Sequence, residues 1–347
     1  MNNLFPKKIL VIRLSSIGDI VLTTAFVRIL RAKFPNSQID FLVFSHFRDI
    51  YLLNKNIDNL LTIEKKISND ELEGFENKLL SKNGKYDIII DLHNNSRTKL
   101  IRKNLSNLIY SIDKRRLFKL GLVYLKIGKN KEYQKIHNIY MNTLKNYELE
   151  DDKLGLEFWL NSDLTNNKYL AHSKKFTPKE KFNIVIAPGA YHKTKMWLTE
   201  YYIELIELIK EKCSSITLLG GVNDKLVIEK ISSQNHFLQN FCGKTSLIES
   251  AEIIDKADLL ITNDTGLMHI AAARQVPVAT FFGSTTKELG FEPFRVPNII
   301  LETELYCRPC THIGRKHCPL LHFNCMKKIT PQYAADRIND FLKSIYD

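Results

Sequence analysis

The sequence predicts two α/β domains, each a parallel sheet wound with helices on both faces. Short continuous apolar runs alternate with stretches in which apolar residues recur at helical spacing. The alternation starts a second time after a polar stretch at 161–181. A chain of 347 residues is also long enough for about two domains. We therefore place the domain boundary in the polar stretch, at residue 175.

The first predicted strand, 7–14, contains the continuous apolar run 9–12, of the kind that is buried on both faces of a sheet. Residues 20–34 follow with apolar residues at helical spacing, and Pro35 ends this helix. The remaining predicted elements of the first domain are strands at 38–44, 59–63, 86–92 and 107–112, and helices near 46–54, 70–82 and 132–147.

The pattern restarts at 182–187, another short apolar run. Helix 331–346 begins at Thr330-Pro331, a favourable cap and first-turn pair. The other predicted elements of this half are strands at 215–219, 258–262 and 277–282, and helices at 199–212, 223–234, 246–256 and 265–274. Because ligands bind beyond the carboxyl ends of parallel strands, two facing domains would form a cleft there.

Composition excludes several classes of protein. A hydrophobic fraction of 44% and a charged fraction of 25% are ordinary for globular proteins, which excludes a disordered chain, a collagen-like fibre and a small disulfide scaffold. The net charge of +12 favours an anionic partner, whether substrate, membrane surface or nucleic acid. No apolar run reaches the roughly 18 residues of a membrane span, and Arg13 stops the N-terminal run too early for a signal peptide. Six cysteines in this length favour a reducing cytoplasm.

The turn after the first strand reads Ser15-Ser16-Ile17-Gly18-Asp19. Its position is that of a phosphate loop, but it contains neither a G-x-G-x-x-G nor a Walker pattern. A carboxylate here repels a phosphate and is better suited to act as a general base. Alternatively, Asp19 only complements the dipole of the helix that follows.

A second turn between a strand and a helix reads Asn263-Asp264-Thr265-Gly266. Gly266 lets a ligand approach the backbone, and the N–H groups of the helix start can bind an anion. Asp264 and Thr265 are equally good helix caps. His269, on the first turns of the helix, is either a ligand contact or a structural residue.

Three further loops follow strands. The loop after 182–187 contains Gly189 and Lys195, which can bind a diphosphate or be part of a solvated basic loop. Asp224, after the Gly220-Gly221 pair, is placed to bind a ribose, although a plain turn explains it equally well. In the first domain, His93, Arg97 and Lys99 follow strand 86–92 and either hold an anionic substrate or form a solvated face.

Four of the six cysteines, Cys307, Cys310, Cys318 and Cys325, are close in sequence. The first two form a C-x2-C pair, a common half of a zinc site, but the second two do not. We weigh a structural zinc against reduced packing cysteines and favour the latter.

Taken together and in order, these motifs resemble glycosyltransferase family 9, the ADP-heptose:lipopolysaccharide heptosyltransferases. The resemblance covers roughly residues 8–330. It is carried by KILVIRLSSIGDIVLTTAFVR (8–28), DLHNNSR (91–97), PGA…K-x-W (188–197), LLGG-x-x-D (218–224), CGKTSL (242–247) and NDTGLMHIAAA (263–273). The cysteine segment CRPC…CP…CM also resembles the tail of many members.

The resemblance implies the GT-B fold, in which two Rossmann-like domains face each other across a cleft. Residues 1–175 would bind the acceptor, 176–330 the nucleotide sugar, and helix 331–347 would pack back on the first domain. The family's base corresponds to Asp19. The family's phosphate-binding lysine corresponds to Lys195, its diphosphate-binding turn to Asp264-Thr265-Gly266, and its ribose-contacting acid falls near Asp224. We further expect donor contacts from Gly189 and His269, and acceptor contacts from Ser16, Gly18, Arg97, His93 and Lys99. Leu198 departs from the family, which often has Pro there, and leaves the loop shape around Lys195 open.

The resemblance further implies an inverting, metal-independent transfer of heptose from ADP-heptose to a lipid A–Kdo type acceptor. We expect no required cofactor. The expected partners are the ADP-sugar, an anionic lipid-linked saccharide and the cytoplasmic face of the inner membrane, which the basic first domain would contact. We expect a monomer that binds no nucleic acid.

Three alternatives stay open. A family 9 enzyme with another donor or acceptor would carry the same motifs. An α/β oxidoreductase is disfavoured because no G-x-G-x-x-G follows a strand. A basic, zinc-containing nucleic-acid-binding protein is disfavoured because the lysines are spread over both domains.

Overall fold

The computed structural model describes residues 5–129, 131–235 and 237–347. The chain forms two compact units, each built around its own sheet. The first unit comprises the residues up to Lys114 together with Ile136–Asn167, and the second comprises Arg115–Lys135 and Lys168–Asp347. Within the described part of the chain, no helix is long and apolar enough to cross a membrane.

The sheet of the first unit has five parallel strands in the order β3-β2-β1-β4-β5. They are β1 (Lys8–Ile12), β2 (Gln38–Phe44), β3 (Asn59–Ile63), β4 (Ile88–Asp91) and β5 (Ile109–Ser111). The central strands are buried on both faces, as their continuous apolar runs require. All five predicted strands are confirmed.

The helices up to residue 165 are α1 (Ile17–Lys33), α2 (Asn69–Asn83), α3 (Ser96–Ile101), α4 (Arg116–Leu120), α5 (Ile136–Asn142) and α6 (Asn161–Thr165). Of these, α4 lies in the second unit. The helix predicted near 46–54 is a short 3-10 turn, Ser45–Ile50, and the one predicted at 132–147 is reduced to α5.

The second sheet has six parallel strands in the order β11-β10-β9-β6-β7-β8. They are β6 (Phe182–Ala187), β7 (Cys213–Leu218), β8 (Gln239–Asn240), β9 (Leu259–Asn263), β10 (Val278–Phe282) and β11 (Asn298–Glu302). The helices are α7 (Thr199–Ile209), α8 (Lys225–Ser232), α9 (Leu247–Asp255), α10 (Gly266–Ala273), α11 (Asn324–Lys327) and α12 (Pro331–Tyr346). The two edge strands, β8 and β11, were not predicted, because β8 has only two residues and β11 is half-exposed.

The division of the chain differs from the expected one. Residues 115–135, expected in the first domain, belong to the second unit, where Lys126 Nζ donates to the Pro309 carbonyl oxygen (2.7 Å). Helix α12, expected to pack back on the first domain, buries its apolar face in the core of the second unit against α7. The apolar side of α7 needs such a cover, and the last residue of α12, Tyr346, donates to the Asp258 carbonyl oxygen (2.9 Å).

Each sheet reverses its strand order once, between β1 and β4 in the first unit and between β6 and β9 in the second. In open α/β sheets, ligands bind beyond the strand ends at such a switch point. The loops after these four strands are therefore the places to search for a site.

Candidate active site

Asp19 lies just beyond β1, as the third residue of α1. Its Oδ2 accepts hydrogen bonds from the Ser16 hydroxyl (2.6 Å) and the Ser16 backbone N–H (3.2 Å). Its Oδ1 lies 2.5 Å from Nη2 of Arg13. Asp19 thus caps its helix, as one interpretation of the sequence expects. Because a carboxylate has about four acceptor positions and this side chain is 21% exposed, a further hydrogen bond from a substrate hydroxyl is compatible with the cap.

Arg13 and Tyr140 complete the surroundings of Asp19, and sequence reasoning gave neither a role. Burial lowers the pKa of Arg13, but the combined attraction of Asp19, Tyr140 and Asp91 outweighs burial and raises the pKa overall, so Arg13 stays charged. The Tyr140 hydroxyl donates to the backbone carbonyl of Asp19 (3.3 Å), and burial raises the pKa of Tyr140. A cation directly after a buried apolar strand was the available signal for Arg13; nothing in the local sequence points to Tyr140.

His93 follows β4, the strand next to β1, and joins this group. Burial, helped by the charge of Arg13, lowers the pKa of His93 to about 4, although Asp19 opposes the shift. The imidazole is therefore neutral near pH 7. The His93 backbone N–H is fixed by Asp91 Oδ1 (3.0 Å).

The predicted acceptor residues divide into two sets. Ser16 donates to Asp19, and Gly18 precedes Asp19 in α1. His93, from the turn after β4, is near enough for the charge of Asp19 to affect its pKa. Arg97 and Lys99 lie on α3, the helix after the His93 turn. The Arg97 guanidinium donates to the Lys65 carbonyl oxygen (3.0 Å) and lies 5.8 Å from the Phe44 ring, while Lys99 is exposed.

In the second unit, Lys195 and Asp264 form an ion pair with a distance of 2.6 Å between Nζ and Oδ2. The Thr285 hydroxyl donates to the same oxygen (2.7 Å). Lys195 ends a short turn beyond β6, and Asp264 directly follows β9, so the two loops of the switch point meet at this pair. Since an ammonium group has three donors, Lys195 can keep Asp264 and also bind a phosphate oxygen.

Asn263, the last residue of β9, ties the same loops together. Its Oδ1 accepts the Trp197 backbone N–H (2.9 Å), and its Nδ2 donates to the Pro188 carbonyl oxygen (2.8 Å). The Trp197 ring is 2% exposed and is stacked on the Phe281 ring. Leu198 has φ −71°, within the range to which proline is restricted, so its departure from the family pattern is compatible with the same backbone.

Asp224 and Gly189 lie against each other. A Cβ added at Gly189 would be 2.1 Å from the Asp224 carboxylate, so only glycine fits here without displacing Asp224. The Gly221 N–H donates to Asp224 Oδ2 (2.8 Å). Burial raises the pKa of Asp224, and the Gly221 hydrogen bond opposes this rise.

Helix α10 begins at Gly266 with Thr265 as its N-cap and has no acidic residue in its first turn. The first N–H groups of a helix have no partner inside the helix, and the helix dipole adds partial positive charge there. An anion can therefore bind at this end. His269 lies one turn further on and is 3% exposed.

All six cysteines are free thiols. Burial, followed by the charges of Cys307 and Cys318, raises the pKa of Cys310, and burial raises the pKa of Cys325 to about 11. The four clustered cysteines therefore lie near one another. Within the described residues, however, no three His, Cys, Asp or Glu side chains are arranged to hold a metal ion.

The cysteine segment, 307–325, supports the Lys195 turn. The Arg315 N–H donates to the Thr194 hydroxyl (2.8 Å), and the Thr194 N–H donates to the Arg315 carbonyl oxygen (3.1 Å). Arg308, 3% exposed, binds the loop after β10. Its guanidinium donates to the carbonyl oxygens of Phe282 (2.9 Å), Gly283 (2.6 Å) and Thr285 (3.0 Å). The segment thus fixes the backbone on both sides of the Lys195–Asp264 pair.

Two doubly wound α/β units, each with polar groups at the switch point of its sheet, define a two-domain α/β architecture with a candidate ligand site in each unit. The family model for glycosyltransferase family 9 (heptosyltransferase) matches residues 77–320. The protein belongs to this glycosyltransferase family. The family prediction is confirmed, and the oxidoreductase and nucleic-acid alternatives lose their basis.

Relatives and solved structures extend the match to nearly the whole chain. The chain is 25% identical to lipooligosaccharide heptosyltransferase 2 of Campylobacter jejuni over 94% of its length and 96% of that protein. It is similar to the structure of Escherichia coli ADP-heptose LPS heptosyltransferase II (TM-score 0.71, 19% identity, 97% and 99% of the two chains covered). It is also similar to E. coli heptosyltransferase WaaC with ADP (TM-score 0.70, 17% identity, 96% and 99% covered). These likenesses show the GT-B fold of two Rossmann-like domains, as predicted.

Proposed function

We propose that the protein transfers heptose, with inversion, from ADP-heptose to an inner-core lipopolysaccharide acceptor of the lipid A–Kdo type. One observation carries the proposal: a family 9 chain has a carboxylate held by an arginine at one switch point, and a lysine beside an acid-free helix start at the other. The names of the C. jejuni and E. coli proteins support the sugar, and the E. coli WaaC structure with ADP supports the nucleotide.

Asp19 is the proposed general base. It takes the proton of an acceptor hydroxyl while that oxygen attacks the anomeric carbon, and the bond from this carbon to the ADP oxygen breaks on the opposite side. Arg13 holds one carboxylate oxygen and Ser16 the other, which fixes the orientation of the carboxylate. Tyr140 fixes the backbone of the same residue.

Lys195 and the start of α10 at Thr265 and Gly266 are the proposed diphosphate site. They supply positive charge where the departing ADP becomes more negative. Asp264 positions Lys195 by the ion pair. Asp224 is the proposed ribose contact, with Gly189 leaving room for its carboxylate, and His269 supports the helix from within.

The proposed acceptor site is formed by Ser16, Gly18 and His93 near the base, with Arg97 and Lys99 on α3. The two cations suit the carboxylates of Kdo-type sugars. A neutral His93 can hydrogen-bond a sugar hydroxyl without adding a charge beside Asp19.

We propose that the reaction needs no metal cofactor, since Lys195 and the helix start supply the positive charge for the diphosphate. The cysteine segment then acts through packing, by the hydrogen bonds that Arg308 and Arg315 make to the donor loops. The alternative is a structural zinc at Cys307, Cys310, Cys318 and Cys325. Metal analysis of the purified protein decides between the two: one zinc per chain overturns the packing proposal.

We further propose a monomer in the reducing cytoplasm, bound peripherally to the inner membrane that holds its acceptor. The six free thiols and the net charge of +12 support this location.

A panel of nucleotide sugars tests the proposal. The enzyme is incubated with each donor, with and without a lipid A–Kdo type acceptor, and release of ADP or UDP is measured. We expect acceptor-dependent ADP release from ADP-heptose. Faster release from another nucleotide sugar, or with another acceptor, favours the alternative family 9 activity.

A further inference from the structure

Residues 115–129 of the second unit, here called the 115–129 surface, expose large apolar side chains. Five of them are exposed by between 52% and 86%: Leu117, Leu120, Tyr124, Leu125 and Ile127. Leu117 and Leu120 lie three residues apart on one side of α4, and Tyr124 and Leu125 lie on the π-helical turn, Gly121–Leu125, that directly follows it. Clustered apolar exposure of this kind marks a binding surface rather than an ordinary protein surface.

The 115–129 surface is held firmly on its unit. Leu122 and Val123 are buried, and Lys126 Nζ donates to the carbonyl oxygens of Cys307 (3.1 Å) and Pro309 (2.7 Å). Lys129 Nζ donates to the Leu305 carbonyl oxygen (2.9 Å). The exposed apolar side chains are therefore the outer side of an anchored element.

The charge of this surface has one sign. Residues 115–129 include no acidic residue. The five basic residues are Arg115, Arg116, Lys119, Lys126 and Lys129. A second copy of the chain would bring like charges together, which disfavours self-association through this surface. An anionic lipid surface offers both complements, because its headgroups attract the cations and its acyl boundary accepts the apolar side chains.

We propose that the 115–129 surface docks the enzyme on an anionic membrane leaflet. Leu117, Leu120 and Tyr124 enter the boundary between headgroups and acyl chains, and Arg116 and Lys119 bind lipid phosphates. The inference rests on the proposed function for the membrane-bound acceptor. It assigns the contact to the second unit rather than to the whole basic first domain.

Vesicle sedimentation tests the docking with no sugar present. The full chain is mixed with vesicles of phosphatidylcholine alone or with phosphatidylglycerol added, at low and high salt. The apolar variant is Leu117→Ser with Leu120→Ser and Tyr124→Ser, and the charge variant is Arg116→Glu with Lys119→Glu. The matched control is Leu208→Ser with Tyr333→Ser, two apolar residues of the same unit that are 45% and 46% exposed. Circular dichroism checks that all variants fold.

We expect wild type and control to bind the anionic vesicles and both test variants to bind at least about tenfold more weakly. Equal binding by wild type and the apolar variant overturns the docking. So does a wild type that stays in the supernatant. If the wild type self-associates with increasing concentration and the apolar variant loses both this self-association and vesicle binding, the surface binds a second copy of the chain. That result also overturns the docking proposal. A separate assay distinguishes failure of the docking proposal from failure of the proposed function. An acceptor dissolved in detergent needs no membrane docking, so acceptor-dependent ADP release in detergent supports the proposed function whether or not the enzyme binds vesicles.

Discussion

The two switch points of the molecule share a backbone plan and an Asp–cation pair, but the acid stands at a different position relative to the helix. In the first unit, the helix after the strand carries an acid in its first turn, Asp19, held by the cation Arg13. In the second unit, the corresponding helix α10 has no acid in its first turn, and its acid, Asp264, precedes the helix and pairs with Lys195.

This difference of a few residues separates two kinds of chemistry. An acid inside the first turn occupies the helix end and leaves a carboxylate for proton transfer. An acid before the turn leaves the helix N–H groups available to an anion and holds a lysine beside them. We therefore expect changes at the first switch point to act on the rate, and changes at the second to act on nucleotide affinity.

The largest expected effect is that of Asp19→Asn. The amide keeps the shape and can still accept from Ser16, but it cannot take a proton, so kcat should fall by about 10² to 10⁴-fold. Calorimetry should show ADP affinity within a factor of about two, because the proposed diphosphate site is at the other switch point. Near-normal turnover would rule Asp19 out as the base.

Glu71→Gln is the matched control for the cap. Glu71 closes the first turn of α2 by accepting the Ser68 backbone N–H (2.7 Å), as Asp19 does at Ser16. We expect a small loss of thermal stability and unchanged kcat. If both variants lowered kcat equally, helix capping rather than base catalysis would explain the first result.

His93 makes the first switch point sensitive to acid. Its pKa is about 4 in the folded protein and about 6.5 when unfolded, so folding favours the neutral form. The contribution of neutral His93 to the free energy of unfolding is complete above pH 6.5 and is lost as the pH falls through about 4. The loss reaches up to about 3 kcal/mol. Urea unfolding at several pH values should show a weaker acid loss in His93→Gln. The exposed His317 gives the control, and His317→Gln should follow the wild type; identical curves for all three proteins would contradict this account.

Strands and turns at the switch points could be predicted because they depend on neighbours in sequence. A short apolar run such as 88–90 gives a buried strand, and a polar turn directly after the strand must lie at the strand end. Asp19, His93 and Asp264 were found in this way. Tyr140 was missed because it reaches Asp19 across 121 positions of sequence, a contact that no local pattern encodes.

The place of 115–135 in the second unit escaped prediction for the same reason. Its ties are hydrogen bonds from Lys126 to carbonyl oxygens about 180 residues away. Backbone acceptors carry no residue type, so the sequence does not mark them. The start of helix α12 was correctly predicted from its N-cap and first-turn proline. Its packing against α7 was not predicted, because an amphipathic pattern shows that one face of a helix is buried but does not identify the element that buries it.

At the second switch point, Lys195→Ala should weaken ADP binding by about ten- to a hundredfold. It removes a cation that is 16% exposed and leaves Asp264 as an uncompensated charge near the diphosphate. Lys193→Ala, in the same turn but exposed, is the control and should leave the affinity nearly unchanged. Equal calorimetric affinities for Lys195→Ala and wild type would remove Lys195 from the donor site.

The smallest expected effect compares two glycines, one in each unit. At Gly189, a new Cβ would meet the Asp224 carboxylate, so Gly189→Ala should displace Asp224 and weaken ADP binding about three- to tenfold. At Gly74, inside α2, a Cβ meets no atom within 4 Å, and Gly74→Ala should raise stability by about 0.5–1 kcal/mol with ADP affinity unchanged. Adding Asp224→Ala to Gly189→Ala should restore thermal stability by removing the clash, but not the affinity. Recovery of both would mean that Asp224 only fills space, whereas loss of affinity in the double variant keeps it as a ribose contact.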